Sequence, residues 1–118
     1  MDVILVVDDD EGVRGVIDRA LAQSGFSVVT ASTGPEGWAH IQQKAFSMVI
    51  TDWMMPNGTG GWLIEQIMAS AIHIPVIILT SIDKASCLRP EWKERNIHYL
   101  QKPFVLSEMI ALVRQQLN

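Results

Sequence analysis

Carboxylates stand directly after two apolar runs of the sequence, and their type and spacing suit the binding of a hard cation. Asp8 and Asp9 follow the run that ends at Val7, and Asp52 follows Met48–Thr51. Short apolar runs bounded by turn signals are typical of buried strands, and parallel strands place their carboxyl ends at one edge of a sheet. Carboxylates held that close repel one another at neutral pH unless a cation lies between them. Mg²⁺ is the natural candidate, since it binds one or two carboxylates together with water and substrate phosphate.

Two polar residues that follow later apolar runs, Thr80 and Lys102, complete a set that could act on a phosphoryl group. A carboxylate such as that of Asp52 can act as a nucleophile on phosphorus and form an acyl phosphate. Mg²⁺ and Lys102 would offset charge on the oxygens of the transferred group, and the Thr80 hydroxyl could donate a hydrogen bond to one of them. The neighbouring Asp10 is predicted to cap the following helix rather than to bind the metal.

The elements that must position these residues alternate between strand and helix patterns. Strands are predicted at Asp2–Val7, Phe26–Thr30, Met48–Thr51, Pro75–Leu79 and Ile97–Gln101. Five helices are predicted. The first, second and fifth cover Glu11–Ser24, Gly34 to about Lys44, and Leu106–Leu117. The third follows a loop, with Thr59 as its candidate cap, and the fourth is a short helix that starts at Pro90. This alternation indicates an α/β domain with a parallel sheet, covered by helices on both faces and joined by right-handed crossovers.

The apolar residues predict which side chains fill the core. The last helix is expected to turn one stripe inward, formed by Leu106, Met109, Ile110, Val113 and Leu117. Trp38 is expected in the core, whereas partial exposure is expected for Trp53, Trp62 and Trp92. The segment from Ile82 to Arg95 has no clear apolar period, and Pro90 would interrupt a continuous helix there.

Length, charge and cysteine content exclude several classes of function. The chain has 118 residues and a net charge of −4, which suits one domain and argues against a nucleic-acid surface on it. Cys87 is the one cysteine, so no internal disulfide can form and a reducing cytoplasm fits best. No apolar run approaches the ~20 residues of a membrane helix. The first residues lack the basic segment of a signal peptide.

Taken together, these residues resemble the motifs of response-regulator receiver domains, the phosphoacceptor modules of two-component signalling, over essentially the whole chain. Asp8-Asp9 resembles the acidic pair of that family, and Asp52-Trp-Met-Met-Pro56 resembles its phosphoacceptor motif. Thr80 stands at the position of the switch hydroxyl, and Tyr99 at that of the aromatic switch residue. Lys102-Pro103-Phe104 resembles the family's Lys-Pro-Phe motif.

The resemblance implies a receiver domain at residues 1–118 with a flavodoxin-like (βα)5 fold and strand order 2-1-3-4-5. It also implies that Asp52 accepts a phosphoryl group from the phosphohistidine of a histidine kinase or phosphotransfer protein. The Mg²⁺ ligands would be Asp8, Asp9, Asp52 and the backbone carbonyl of Met54, and the Lys102–Pro103 bond would be cis.

By the same resemblance, movement of Thr80 and Tyr99 would shift the face formed by the fourth helix, the fifth strand and the fifth helix. That face would serve an output domain or a homodimer. The domain would catalyse its own phosphorylation and slow dephosphorylation without being a conventional enzyme. Because the apolar Met54 and Ile82 would flank the phosphoryl site, a fairly long-lived aspartyl phosphate is a further hypothesis.

The sequence departs from the family pattern in three segments that lie between predicted strands and helices. Thr59 replaces the usual acid before a glycine, Ser81 replaces a usual Ala or Gly, and Arg95-Asn96 replaces a usual Gly-Ala. Together with Pro90, the Arg95-Asn96 departure makes the fourth helix the element that matches the family least.

Two alternative functions stay open on the sequence alone. One is a phosphatase of the haloacid-dehalogenase type with Asp8 as its nucleophile, although the chain has no room for a cap domain. The other is an interaction module that keeps the fold without phosphorylation. We expect no effector domain within these residues, so a stand-alone regulator, a transcription factor and a hybrid kinase are all compatible with the sequence.

Overall fold

Five parallel strands form one sheet in a computed structural model that describes residues 2–55, 60–81, 92 and 95–117. The strands are β1 (Val3–Val7), β2 (Ser27–Ala31), β3 (Met48–Asp52), β4 (Val76–Thr80) and β5 (Ile97–Gln101). Their order across the sheet is β2-β1-β3-β4-β5. The predicted fold class and strand order are therefore confirmed, and no strand boundary differs from its prediction by more than one residue.

Helices connect the strands within the described residues. They are α1 (Glu11–Gln23), α2 (Gly34–Gln43), α3 (Gly60–Ala69) and α4 (Leu106–Leu117). The predicted helix from Pro90 and the predicted cap at Thr59 lie outside the described residues, so α4 here is the fifth helix of the sequence prediction. None of the helices in the described ranges is long and apolar enough to cross a membrane.

Both faces of the sheet are buried, because successive side chains of a strand point to opposite faces. In β1, Leu5 and Val7 pack in the core that α2 and α3 cover, with Ile41, Leu63, Ile64 and Ile67. Ile4 and Val6 pack in the core that α1 and α4 cover, with Ile17, Leu21, Met109 and Val113. This double burial explains why the three central strands, β1, β3 and β4, read as nearly continuous apolar runs.

Local signals define the ends of α1 as the sequence predicts. The Asp10 carboxylate accepts a hydrogen bond from the Val13 N–H at 3.1 Å, which satisfies one free donor of the first turn. Gly25 follows the helix with a φ of 97°, a left-handed conformation that side chains other than that of glycine rarely adopt. The helix therefore starts directly beside the acidic residues that follow β1.

Two expectations about core residues are wrong. Leu106 is 36% exposed, because it is the first residue of α4 and the inward stripe begins one turn later, at Met109. Trp92 is only 4% exposed, because its ring packs edge-on against Trp53 with 6.2 Å between the ring centroids. Trp53 and Trp62 are half-buried against the same core, so their partial exposure is confirmed.

Candidate functional site

Three carboxylates meet at the carboxyl edge of the sheet. Asp52 ends β3, and Asp8 follows β1 on the neighbouring strand, where Val7 pairs with Thr51. Oxygens of the Asp8, Asp9 and Asp52 carboxylates lie within 4.8 Å of one another. Asp8 is fully buried and Asp52 nearly so, whereas Asp9 is exposed. The register of adjacent parallel strands thus brings the predicted cluster together.

Lys102 supplies the positive charge of this cluster. Its Nζ lies 3.2 Å from Asp52 Oδ2 and 3.6 Å from Asp8 Oδ2. The Lys102 backbone N–H donates to the Thr80 carbonyl at 2.7 Å, which ties the residue to the end of β4. The Lys102–Pro103 peptide bond is cis, as expected.

The buried Asp8 carboxyl is electrostatically strained. Burial raises its pKa, the Asp10 N–H and the Lys102 ammonium offset part of that effect, and the Asp52 and Asp9 carboxylates add to it. Asp8 Oδ1 accepts a hydrogen bond from the Asp10 N–H at 2.9 Å. Within the described residues, Asp8 Oδ2 is buried without a hydrogen-bond donor. A cation beside this oxygen would relieve both the repulsion and the missing contact, so the residues present fit a divalent ion.

The Lys102 ammonium is held in its charged form. Burial alone would disfavour the charge, but the Asp8 and Asp52 carboxylates outweigh burial and raise the pKa of Lys102 above its usual range. Lys102 is therefore a permanent cation at neutral pH, and it shares two of the three carboxylates with any metal that binds.

The loop after β3 packs its backbone closely against the start of α3. The Met54 N–H donates to Asp52 Oδ1 at 3.3 Å, while the Met54 side chain is 57% exposed. The Gly60 N–H donates to the Trp53 carbonyl at 3.1 Å. A Cβ on Gly60 would lie 1.9 Å from the Asp52 backbone oxygen, so this approach requires glycine. Pro56 lies outside the described residues.

Thr80 and Tyr99 occupy different depths of the sheet. Thr80 ends β4 at the carboxyl edge and is 1% exposed. Tyr99 is half-buried in the middle of β5, where it pairs with Ile78 and packs in the core under α2 and α3. Because side chains alternate along a strand, Thr80 and Ile78 face the same side. Thr80 thus lies at the same edge of the sheet as the acidic cluster, and Tyr99 lies below Thr80 on the same face.

Arg14 is a site residue that the sequence reasoning missed. Its guanidinium Nη1 donates to the Asp8 backbone carbonyl at 2.8 Å, from near the start of α1. An arginine four residues after Asp10, on the helix that the acidic run opens, was the available signal. Asp10 itself caps α1 and is not among the three clustered carboxylates, in agreement with its prediction.

Fold and site together define a doubly wound α/β protein with an acidic, lysine-flanked crevice at the carboxyl edge of its sheet, where open α/β sheets bind ligands. A sequence model of the family described as the response regulator receiver domain matches residues 4–114. The chain belongs to this family, and it is a phosphoacceptor switch module of two-component signalling.

Curated relatives are about one-third identical to this chain over the aligned residues. The DNA-binding transcriptional regulator NtrC of Salmonella typhimurium is 33% identical over 116 residues, which cover 98% of this chain and 25% of NtrC. The response regulator MprA of Mycobacterium sp. (strain KMS) is 35% identical over 115 residues, covering 98% of this chain and 50% of MprA. The chain thus spans a quarter to a half of the length of these relatives.

Solved structures agree with the fold. A response regulator receiver domain protein from Clostridium thermocellum superposes with a TM-score of 0.88 at 29% identity, over 100% of this chain and 95% of that one. The chemotaxis protein CheY4 of Vibrio cholerae gives a TM-score of 0.88 at 26% identity, over 99% of both chains. These likenesses do not favour a phosphatase or a phosphorylation-independent module.

Proposed function

We propose that Asp52 is the phosphoacceptor of this receiver domain and that its donor is the phosphohistidine of a histidine kinase or phosphotransfer protein. The observation that carries this proposal is the setting of the Asp52 carboxylate, which lies 3.2 Å from Lys102 Nζ and beside the Asp8 and Asp9 carboxylates. A carboxylate oxygen forms a bond to phosphorus while the bond from phosphorus to the imidazole nitrogen breaks. The electron pair of the broken bond returns to the imidazole ring.

The cation that we propose for the acidic cluster is Mg²⁺. Asp8, Asp9 and Asp52 offer the hard carboxylate oxygens that this ion prefers, and the backbone carbonyl of Met54 would add a further oxygen. Bound there, Mg²⁺ would neutralise negative charge on the phosphoryl oxygens. The buried Asp8 Oδ2, which lacks a hydrogen-bond donor in the described part of the chain, supports this assignment.

The remaining site residues would recognise the transferred group. The Lys102 ammonium is already paired with the Asp52 carboxylate, so it lies within reach of an oxygen on a phosphoryl group attached there. The Thr80 hydroxyl would donate to another phosphoryl oxygen from the end of β4. Because Thr80 and Tyr99 share one face of adjacent strands, a shift of Thr80 would open space toward which Tyr99 can turn.

Such a shift would bias two pre-existing states of the face that includes β5 and α4. An output domain or a second copy of the chain is the proposed reader of that face. The predicted fourth helix, which would complete the face, lies outside the described residues. Phosphorylation in the cytoplasm is proposed because a histidine kinase uses cytoplasmic ATP and the sequence has no pair of cysteines to oxidise.

Phosphorylation by a small donor tests the proposal directly. The purified chain is incubated with acetyl phosphate and Mg²⁺, and intact mass spectrometry measures addition of one phosphoryl group. Borohydride reduction of the acyl phosphate followed by peptide sequencing then locates the modified residue. We expect modification at Asp52, loss of modification in Asp52→Asn, and unchanged modification in the matched control Asp2→Asn, whose aspartate is exposed and distant from the cluster.

Other outcomes separate the alternatives. Modification at Asp8 with turnover of the donor indicates a phosphatase of the haloacid-dehalogenase type. No modification under any condition, with no response to beryllofluoride and Mg²⁺, indicates an interaction module. Modification that persists after Mg²⁺ is chelated during the reaction contradicts the assignment of the metal.

The lifetime of the phosphoryl group stays a prediction of its own. Met54 follows Asp52 by two residues and its apolar side chain is 57% exposed, and we propose that it hinders the approach of water to the phosphoryl group. Ile82, the second apolar residue of this hypothesis, lies outside the described residues. We expect slow loss of phosphate from the wild-type chain and faster loss in Met54→Asn, measured after removal of the donor. Rapid loss in both proteins contradicts the hypothesis.

A further inference from the structure

Arg14 holds the acidic turn through the main chain. Its Nη1 donates to the Asp8 carbonyl oxygen at 2.8 Å, and its backbone N–H donates to the Asp10 carbonyl oxygen at 2.9 Å. On the other side of the turn, the Asp10 N–H donates to Asp8 Oδ1 at 2.9 Å. The three-residue turn that contains Asp9 is therefore fixed at both of its ends.

The guanidinium reaches this turn without occupying a carboxylate. Within the described residues, the ion pairs of the cluster are those of Lys102, and Arg14 binds a backbone carbonyl instead. Asp8 Oδ2 is left without a hydrogen-bond donor in the same part of the chain. The arginine thus adds positive charge and rigidity near the cluster, and the carboxylate oxygens stay available to a cation.

The direction of the Asp8–Asp9 peptide decides where the Asp9 side chain lies. Asp9 is exposed, and no hydrogen bond within the described residues holds its carboxylate. Its place within 4.8 Å of the Asp8 and Asp52 oxygens therefore depends on the main chain that precedes it. A hydrogen bond from a charged guanidinium to the Asp8 carbonyl is a strong way to fix that direction.

We propose that Arg14 is a positioning residue of the acidic site, which fixes the Asp8–Asp9 peptide so that the three carboxylates converge on one divalent cation. This inference rests on the proposed function, since it takes the cluster to be a Mg²⁺ site. Partners that orient the ligands of a metal typically change its affinity by about 10- to 100-fold when they are removed.

Two effects of removing Arg14 have opposite signs, which makes the test sharp. A positive charge near a cation site repels the cation, so loss of charge alone would tighten Mg²⁺ binding. Loss of positioning would weaken it, because the Asp9 carboxylate would no longer be held beside the other two. The sign of the change in the Mg²⁺ dissociation constant therefore distinguishes a positioning residue from a mere charge.

The experiment compares Arg14→Met with Arg19→Met, which removes the same charge from an exposed position of the same helix. Calorimetric titration gives the Mg²⁺ dissociation constant, and urea denaturation in EDTA gives the stability of the metal-free chain. We expect Arg14→Met to weaken Mg²⁺ binding about tenfold and Arg19→Met to leave it unchanged or slightly tighter. Arg14→Lys keeps the charge and one donor, so it should restore part of the affinity.

Equal or tighter Mg²⁺ binding by Arg14→Met overturns the inference. If Arg14→Met does not fold, the Mg²⁺ dissociation constants of Arg14→Lys and Arg19→Lys are compared instead. Weaker Mg²⁺ binding by Arg14→Lys alone supports the positioning role, and equal binding by the two variants overturns it. A wild-type chain that binds no Mg²⁺ overturns the metal site of the proposed function and this inference with it. Wild-type binding with no effect of Arg14 overturns the inference only.

Discussion

Lys102 Nζ lies 3.2 Å from Asp52 Oδ2, although fifty residues separate the two in the chain. The same nitrogen lies 3.6 Å from Asp8 Oδ2. Both carboxylates belong to the cluster that would hold a divalent cation. A metal bound by the cluster would therefore compete with the lysine for the same two carboxylates, and we expect it to leave the ammonium freer to bind an oxygen of a phosphoryl group on Asp52.

Substitution of Lys102 should separate metal binding from phosphorylation. In Lys102→Met the acidic cluster loses its competing cation, so Mg²⁺ should bind as tightly as in the wild type or more tightly. The rate of modification by acetyl phosphate at saturating Mg²⁺ should fall by roughly 100-fold, the usual cost of one lost charge-stabilising donor. Calorimetry and time-resolved mass spectrometry measure the two quantities.

The matched control for this prediction is Lys44→Met, which removes an exposed lysine next to the end of α2. It should change neither quantity. A parallel loss of Mg²⁺ binding and phosphorylation in Lys102→Met would mean that the lysine only maintains the fold of the site.

The sheet and its acidic edge could be predicted from the sequence because both follow from local patterns. Buried parallel strands read as apolar runs, and the carboxylates that end two such runs must meet when β1 and β3 are neighbours. The strand order that makes β1 and β3 neighbours was implied by the family resemblance and not by the residue pattern. Each predicted strand boundary lies within one residue of the observed boundary, because turn-forming residues stand at the ends of the runs.

Contacts that depend on a long side chain or on a distant packing partner could not be predicted. Whether Arg14 reaches the Asp8 carbonyl depends on the angle at which α1 leaves the sheet, which no residue pattern states. The burial of Trp92 depends on Trp53, which follows β3 and stands 39 positions earlier in the sequence. Leu106 fits the apolar stripe of α4 by spacing, yet it begins the helix beyond the edge of the core.

Two glycines should respond in opposite ways to the same substitution. A Cβ on Gly60 would lie 1.9 Å from the Asp52 backbone oxygen, so Gly60→Ala must push α3 away from the site. We expect a loss of at least about 2 kcal/mol in the free energy of unfolding, as for other overpacked positions, together with weaker Mg²⁺ binding. A Cβ on Gly15, inside α1, meets nothing within 4 Å, so Gly15→Ala should stabilise the chain by up to ~1 kcal/mol.

Urea denaturation in EDTA measures the change in the free energy of unfolding of each alanine variant, and calorimetric titration measures Mg²⁺ binding by Gly60→Ala. Unchanged stability and normal Mg²⁺ binding of Gly60→Ala would show that the start of α3 can move without disturbing the loop after β3. A destabilising Gly15→Ala would contradict the open surroundings of that residue.

The edge-on contact between Trp53 and Trp92 should contribute to stability beyond the burial of either ring. The rings meet at an interplanar angle of 75°, and such pairs contribute about 0.5–1.5 kcal/mol. A double-mutant cycle with Trp53→Phe and Trp92→Phe in urea denaturation should give a coupling energy of that size. The same cycle with Trp53→Phe and Trp38→Phe should give a smaller coupling, and equal couplings would mean that no specific contact exists.

The start of α2 predicts a pH-dependent contribution to stability. Glu36 Oε1 accepts hydrogen bonds from the Ser32 N–H at 3.1 Å and the Ser32 hydroxyl at 2.9 Å, while Thr33 Oγ1 accepts from the Glu36 N–H at 3.1 Å. The bond from the Ser32 N–H is the main cause that lowers the pKa of Glu36 below its usual 4.5. The folded state thus favours the carboxylate, so its contribution is fully present above pH 4.5 and is lost as pH falls through the lower, folded pKa.

Glu36→Gln should therefore be less stable than the wild type at pH 7, by a small amount because the side chain is exposed. The difference should vanish when the carboxyl is protonated at lower pH. Thr33→Ala, which removes the cap without a titrating group, should cost about 1 kcal/mol at every pH. Urea denaturation of the three proteins across the acidic range checks both statements. If the difference in the free energy of unfolding between Glu36→Gln and the wild type does not change with pH, the charge of the carboxylate contributes nothing to the cap.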